Sequence, residues 1–225
     1  MKKYELTDET KVEFGVTLHR IRALVDIERW GIKAGDLGGW IESEANLSQE
    51  HDAWVFDEAR VFGEALVSGE ALVFGKALVF DKARVSGEAQ VSGEARVFDE
   101  AQVFGEARVS GEAQVFGEAR VFGEALVFDK ARVSGEARVS GEAQVSKTVH
   151  VLTVGPIGSR DDTTTFFRAK FSAGFAISVC CGCFRGTVDE FRAKVKQTHG
   201  DNKHGVAYQL AADLAEAQIE LGEEG

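Results

Sequence analysis

One short segment, GPIGSRDD at residues 155–162, combines residue types that can bind an anion. Its glycines let backbone N–H groups converge on one point, and its serine and arginine add side-chain donors. A second arginine and the start of a later helix can face the same ligand, because the N–H groups at a helix N-terminus attract anions. The predicted ligand-binding residues are Gly155, Gly158, Ser159, Arg160, Arg185 and Thr187.

Local charge supports this interpretation. Residues 155–204 carry eight Lys/Arg against five Asp/Glu, an excess of three positive charges within an acidic chain. The alternative is an ordinary tight turn between two strands, since the segment lacks the lysine of a Walker-type phosphate loop. The contrast in charge favours the capture of an anionic metabolite or a signalling nucleotide.

Cysteine and histidine spacing suggests a second kind of site. Cys180 and Cys183 precede His199 and His204, which approximates a zinc site with two cysteines and two histidines, although the fifteen residues between the two pairs exceed the usual finger spacing. The alternative is strand cysteines that face a small core and surface histidines that follow a helix. The alternative is the commoner arrangement, so we expect no bound metal and no other cofactor.

Composition limits the classes of protein to consider. The 225 residues include 26 Lys/Arg and 37 Asp/Glu, and the net charge of −11 argues against binding to the phosphate backbone of nucleic acids. The chain starts without the apolar core of a signal peptide, and no stretch approaches the roughly 20 apolar residues that cross a bilayer. Three clustered cysteines are too few for a disulfide framework. These features predict a cytoplasmic protein that binds neither nucleic acid nor membrane.

A hexapeptide repeat must position the candidate residues. Alanine recurs at every sixth position from Ala53 to Ala143, and a valine follows each alanine by two residues, which gives sixteen consecutive copies. Because side chains alternate along a strand, each Ala/Val pair shares one face of a short strand. The Gly or Asp that follows suits a sharp corner and would cost up to about 1 kcal/mol in a helix interior. The repeat predicts a parallel β-helix over residues 53–148.

Stacking the copies by threes places side chains in outward columns. One column contains Phe62, Phe80, Phe98 and Phe116. These rings either stabilise the coils by stacking on one another or form a docking stripe for another subunit or protein, because exposed apolar patches often mark interfaces. Residues 53–148 also carry sixteen acidic and eleven basic groups, so an acidic mimic of DNA is a further alternative.

Both open ends of a β-helix need covers. Residues 1–52 predict an N-terminal β cap, with short strands in YEL, VEFGVTLHRIRALVDI and GGWIESEANL. Residues 149–225 predict a small α+β domain, with strands in VHVLTV, TTTFFRAKF and FAISVCC. The predicted order is therefore cap, β-helix and C-terminal domain.

Two helices are predicted in the C-terminal domain. Thr187 and Glu190 have the spacing of a capping box, which starts a helix that ends near Gly200. A second helix is predicted over residues 203–221, where four apolar residues recur at helical spacing. These four residues are Val206, Leu210, Leu214 and Leu221.

The repeat resembles the hexapeptide family whose coils form a left-handed triangular β-helix with three hexapeptides per turn. Residues 32–63, IKAGDLGGWIESEANLSQEHDAWVFDEARVFG, look like the lead-in of uncharacterised hexapeptide-repeat proteins of bacteriophages and prophages. The run GPIGSR, CGCFRGTVDEF and HGDNKHGVAY resembles the terminal domain of many of those proteins. The resemblance implies a left-handed parallel β-helix, a viral accessory protein of unassigned function and, by analogy, a homotrimer.

The resemblance also makes acyl transfer an alternative, because left-handed hexapeptide helices are best known as acyltransferases. Those enzymes use a histidine base beside a coenzyme A groove, usually with a loop expelled from the coils. In this chain all five histidines lie outside residues 53–148, and no loop interrupts the repeat. The leading hypothesis is a non-enzymatic, oligomeric accessory protein, used in counter-defence, that captures an anionic nucleotide or a host protein. A purely structural scaffold is the alternative.

Overall fold

A computed structural model describes residues 2–222 of the chain. Met1 of the predicted cap and residues 223–225 of the predicted C-terminal domain lie outside the described residues. A parallel β-helix lies between an N-terminal antiparallel hairpin and a C-terminal unit that contains an antiparallel sheet and two helices. The predicted fold, mainly β with stacked parallel coils and a small α+β unit, is confirmed.

Each hexapeptide forms one two-residue strand of the β-helix. Gln90 pairs in parallel with Leu72 and with Arg108, eighteen residues away on either side, so three hexapeptides complete a coil. The repeated alanines and valines point inward and are at most 1% exposed. The strands are β4 (Trp54–Val55), β5 (Arg60–Val61), β6 (Leu66–Val67), β7 (Leu72–Val73), β8 (Leu78–Val79), β9 (Arg84–Val85), β10 (Gln90–Val91), β11 (Arg96–Val97), β12 (Gln102–Val103), β13 (Arg108–Val109), β14 (Gln114–Val115), β15 (Arg120–Val121), β16 (Leu126–Val127), β17 (Arg132–Val133), β18 (Arg138–Val139) and β19 (Gln144–Val145).

The corners explain why Gly alternates with Asp in the repeat. Gly87 has a φ of +68° and Asp99 a φ of +58°, both in the left-handed region that these residue types tolerate best. The Asp99 carboxylate also accepts a hydrogen bond of 3.0 Å from the N–H of Gly117, one coil further along. An aspartate corner therefore adds a link between coils that a glycine corner cannot make.

Parallel stacking begins before the first regular hexapeptide. Strand β3 (Leu37–Ile41) pairs in parallel with β5, and Leu47 forms a parallel bridge with Val67. Leu47 and Val55 are eight residues apart, where the repeat has six, so the first coil breaks the period. The segment predicted as a cap therefore contributes a coil of its own.

An antiparallel hairpin extends the same sheet beyond β3. It consists of β1 (Tyr4–Glu13) and β2 (Val16–Ala23). Phe14 and Gly15 form its turn with φ values of +54° and +79°, a combination that suits a two-residue hairpin turn. The sequence analysis treated residues 12–27 as a single stretch with strand character and missed this turn.

The phenylalanine rings stack along the β-helix as predicted. Neighbouring ring centroids in the column from Phe62 to Phe116 are 5.0–5.2 Å apart, with planes within 6° of parallel. Phe14 extends the column at the N-terminal end, 5.7 Å from Phe62. Each ring from Phe62 to Phe116 is partly buried by its neighbours. The stack is thus a continuous structural feature of one edge of the molecule.

A four-stranded antiparallel sheet follows the last coil. Its strands, in spatial order, are β20 (Val151–Ile157), β21 (Asp162–Phe171), β22 (Gly174–Cys181) and β23 (Phe184–Thr187). The sequence analysis did not predict β23, which is only four residues long and contains a glycine. The helices α1 (Val188–His199) and α2 (Lys203–Gln218) pack on one face of the sheet. Within residues 2–222, neither helix is long and apolar enough to cross a membrane.

The other face of the sheet covers the end of the β-helix. Ala143 and Ala169 form an antiparallel bridge, and the N–H of Arg138 donates to Oγ1 of Thr165 at 2.9 Å. Phe167 lies in the same apolar core as the coils, whereas the adjacent Phe166 lies in the core beneath the helices. The alternation along β21 therefore joins two cores through one strand.

The second helix is confirmed, but the apolar residues that predicted it do not form its buried face. Helix α2 ends at Gln218, and Leu221 lies beyond it. Val206, Leu210 and Leu214 lie on the outer face, 48%, 62% and 50% exposed. The helix packs inward through Tyr208 and small residues instead, because only small side chains let it lie close to α1 and the sheet.

Candidate functional site

Three chain turns meet at one end of the C-terminal sheet. Thr164 pairs with Cys181, so the β20–β21 turn lies beside the β22–β23 turn. Helix α1 starts at the opposite end of β23 and runs back, which brings its last turn and the start of α2 to the same place. A pocket of about 180 Å³ lies between them. It is lined by Ser159, Arg160, Asp162, Cys181, Gly182, Cys183, Phe184, Phe191, Lys194, Val195, Thr198, His199 and Tyr208.

Two glycines shape the floor of this sheet–helix pocket. Gly158 has a φ of +78°, and a Cβ at this position would overlap the hydroxyl of Tyr208. Gly182 has a φ of +55°, and Nη1 of Arg160 would lie 3.1 Å from a Cβ there. The missing Cβ atoms therefore let Tyr208 and Arg160 lie directly on the backbone of the two turns.

The pocket contains two cations, of which Lys194 already donates a hydrogen bond from Nζ to Oε1 of Gln197 at 3.2 Å. Among residues 2–222, neither Arg160 nor Lys194 forms an ion pair. Arg192, by contrast, pairs with Asp213 and Glu216 at 2.8 Å. Arg160 and Lys194 are therefore available to a ligand, with Asp162 as the single carboxylate in the lining.

Tyr208 adds a neutral donor to these cations. Its side chain is 6% exposed, and burial raises its pKa to about 12, with a further contribution from the nearby Cys181 thiol. The hydroxyl therefore remains protonated at neutral pH. It can donate a hydrogen bond to an anion or to a carbonyl in the pocket.

Aromatic rings form the apolar wall. The Phe191 ring lies 5.5 Å from Phe184 and 5.6 Å from Tyr208, and the His199 ring lies 5.7 Å from Tyr208. Such rings present flat faces and edges to a planar ligand. The pocket thus combines a surface for a flat group with cationic and hydroxyl donors for an anion.

The structure brings together only part of the predicted anion site. Ser159 and Arg160 line the pocket, and Gly158 supports it from below. Gly155 does not reach the pocket, because it packs against Thr163 in the neighbouring strand. Its role is to let β20 approach β21 closely.

Arg185 lies on the other face of the sheet. Its guanidinium carbon is 4.7 Å from the ring centroid of Phe122 in the β-helix, whereas the preceding Phe184 packs against α1. Side-chain alternation along β23 separates the two residues. Arg160 and Arg185 therefore face different layers of the domain, and the structure does not bring them together.

Thr187 caps helix α1 as predicted, but the cap is already complete. Its Oγ1 accepts from the N–H of Glu190, and Glu190 Oε2 accepts from the N–H of Thr187 at 2.8 Å. Glu190 and Asp189 place two carboxylates in the first turn. These charges oppose an added anion, so this helix end does not extend the pocket.

The four zinc candidates do not converge. Cys180 is 1% exposed and lies in the core shared with the coils, where burial raises the pKa of its thiol while Arg185 opposes the shift. Cys183 and His199 line the pocket instead, and the rings of His199 and His204 are 6.1 Å apart. In the described part of the chain, no group of three His, Cys, Asp or Glu residues is placed to hold a metal ion.

Most lining residues of the pocket were not predicted from the sequence, among them Phe184, Lys194 and Tyr208. Tyr208, Ala211, Ala212 and Ala215 follow the spacing of one helical face, which was a readable signal for a buried stripe. The larger apolar residues on the opposite face obscured it. Lys194 carried no such signal, because only the return of α1 along the sheet brings it to the pocket.

No protein-family model matches the chain, and no curated protein matches it either.

Proposed function

We propose that the protein binds, without chemical turnover, a small anion that carries a flat group, in the sheet–helix pocket. The observation that carries the proposal is the convergence of Arg160 and Lys194, free of ion pairs within residues 2–222, with the protonated hydroxyl of Tyr208. Charge-assisted hydrogen bonds from such groups are the strong ones in anion recognition. In this proposal the β-helix serves as a stalk that displays the pocket.

The size and walls of the pocket narrow the ligand class. About 180 Å³ accommodates one ring system with a phosphate or carboxylate at the mouth, and the partly exposed rings of Phe184 and His199 offer it stacking surfaces. A nucleoside monophosphate or one half of a larger signalling nucleotide fits this description. Larger ligands would leave part of their surface outside.

We further propose that the protein is a bacteriophage or prophage accessory protein that acts in the cytoplasm, where capture of a host signalling nucleotide would oppose a defence response. The support is the resemblance of residues 32–63 and of the motifs around GPIGSR and CGCFRGTVDEF. Three free cysteines fit a reducing compartment.

Calorimetric titration of the full chain with adenosine monophosphate and with inorganic phosphate tests the binding site. We expect Arg160→Ala and Lys194→Ala each to weaken binding at least about tenfold, because each removes a charge-assisted contact. Arg185→Ala is the matched control, since it removes an arginine from the same sheet on the other face, and it should bind like the wild type. Circular dichroism verifies that each variant folds.

Two results would overturn the proposal. If neither probe binds, and native mass spectrometry of protein purified from bacterial cells shows no added mass, the pocket does not capture such anions. If a bound nucleotide is instead converted to product and His199→Asn stops the conversion, the protein is an enzyme. A loss of binding in Arg185→Ala as large as that in Arg160→Ala would instead support the site predicted from the sequence, which contains both arginines.

A further inference from the structure

Helix α2 exposes its large aliphatic side chains to solvent and buries its small ones. Its buried face consists of Gly205, Tyr208 and three alanines. Its outer face presents Leu210 and Leu214, which are 62% and 50% exposed. A surface helix normally turns its leucines inward, so the outer face has the composition of a buried one.

The outer residues follow the spacing of a helix–helix contact. They recur at intervals of three, four and three residues, the pattern of a seam between two packed helices. The two leucines lie in the middle of the seam and an alanine lies at each end, so an antiparallel copy would place leucine against leucine and alanine against alanine. The seam consists of Ala207, Leu210, Leu214 and Ala217, with Val206 beside it.

The distribution of charge along α2 indicates which molecule packs on its outer face and in which orientation. The N-terminal turn carries Lys203, which forms no ion pair within residues 2–222. The C-terminal half carries Asp213 and Glu216, which share the single cation Arg192, and the following Glu220 pairs with Lys147, so an excess of one negative charge remains at that end. The helix dipole adds positive charge at the first end and negative charge at the second. An antiparallel copy of α2 would place each basic end beside an acidic end, while a parallel copy would place acid beside acid.

We propose that two copies of the chain form a symmetric dimer through antiparallel packing of α2 on α2. A two-fold contact of this kind is self-complementary and closed, so it forms a dimer and not a filament. Tyr208 points away from the seam, into the sheet–helix pocket, so the pocket stays open in the dimer. The dimer is independent of the proposed ligand, and it replaces the trimer that the resemblance implies.

Sedimentation equilibrium of the full chain tests the dimer. The expected mass is twice the chain mass of 24.4 kDa. Leu210→Glu should weaken association at least about 100-fold, because symmetry places the charge in the seam twice. Val12→Glu is the matched control: Val12 is an exposed apolar residue in the N-terminal hairpin, 70% exposed, and its replacement should leave the dimer intact. If Leu210→Glu fails to fold, Leu210→Gln and Leu214→Gln provide the same comparison.

The direction of packing has its own test. Lys203→Glu should weaken the dimer about 3- to 10-fold, as expected for loss of two exposed pairs, and addition of Glu220→Lys in the same chain should restore it. A parallel dimer would show no such rescue. A monomeric wild type at 100 µM, a trimer, or an oligomer unaffected by substitutions at Leu210 and Leu214 would each overturn the proposal.

Discussion

The side chain of Lys3, including its amino group, is buried against the start of the β-helix. Its side chain is 6% exposed, and its ammonium donates to the carbonyl oxygens of Ala53 at 2.8 Å and His51 at 3.1 Å. Burial lowers its pKa to about 8, although the charge of Asp52 opposes the shift. The two carbonyl groups compensate only part of the lost hydration.

The lowered pKa of Lys3 predicts a rise in stability with alkaline pH. Above about pH 8 the folded amine is neutral, whereas the unfolded one holds its proton up to about 10.5, so the unfolded state binds more protons. The free energy of unfolding of the wild type, minus that of Lys3→Met, should rise by about 2–3 kcal/mol from pH 8 to pH 10.5.

Urea unfolding of both proteins at closely spaced pH values measures this difference. It should be constant between pH 6 and about 7.5, because Lys3 is charged in both states there. A difference that falls with rising pH would show that Lys3 is stabilised as a cation and that its hydrogen bonds outweigh its burial.

Individual site residues were predictable only where a local signal existed. Ser159 and Arg160 follow a glycine turn that the sequence displays openly, and they do line the pocket. Arg185 was misplaced because its side depends on the pairing of β23, a strand too short to recognise. Tyr208 was missed because tertiary packing, and not apolar periodicity, decides which face of α2 is buried.

At the scale of elements, the column of phenylalanines stabilises the coils through contacts between copies of one position. Phe98 lies 5.0 Å from both Phe80 and Phe116, with its ring nearly parallel to each. A repeat protein gains such contacts at every coil, and each coil contacts only its neighbours. The column therefore contributes to stability whether or not a partner also docks on it.

Phe98→Ala should lower the free energy of unfolding by about 2 kcal/mol, because it removes a partly buried ring and two stacking contacts. Chemical denaturation monitored by far-ultraviolet circular dichroism measures the change. Ser110→Ala, at the same position of another hexapeptide, should change stability by less than about 0.5 kcal/mol. Equal effects of the two substitutions would mean that the stacked rings contribute nothing to the coils.

The sequence predicts the repeated elements better than the elements that occur once. Every hexapeptide repeats one local choice, an inward Ala/Val pair with a Gly or Asp corner, so sixteen weak signals add up to one architecture. The first coil breaks that period, and the hairpin turn at Phe14 requires a positive φ that phenylalanine seldom adopts. Neither has a repeat to reinforce it.

At the scale of the whole molecule, one apolar core runs from Tyr4 in the hairpin through the coils to Phe167 in the C-terminal sheet. Both ends of the column of coils are therefore covered. The sequence analysis predicted that covers must exist but not how the sheet would attach. The attachment depends on strand β21, which turns Phe167 toward the last coil and Phe166 toward the helices.

This alternation predicts that two adjacent substitutions will loosen different parts of the molecule. Phe167 and Phe166 are both fully buried, at 1% and 0% exposure, so replacement of either with alanine should cost about 3–5 kcal/mol. Phe167→Ala should increase hydrogen exchange in the last coil, β17 to β19, while the first coils stay protected, because coils transmit stability only to their neighbours. Phe166→Ala should instead expose α1 and α2, whose Phe191 ring lies 5.7 Å from Phe166. Exchange mass spectrometry resolves the two patterns, and uniform loss of protection in both variants would mean that the β-helix and the C-terminal unit unfold as a single cooperative body.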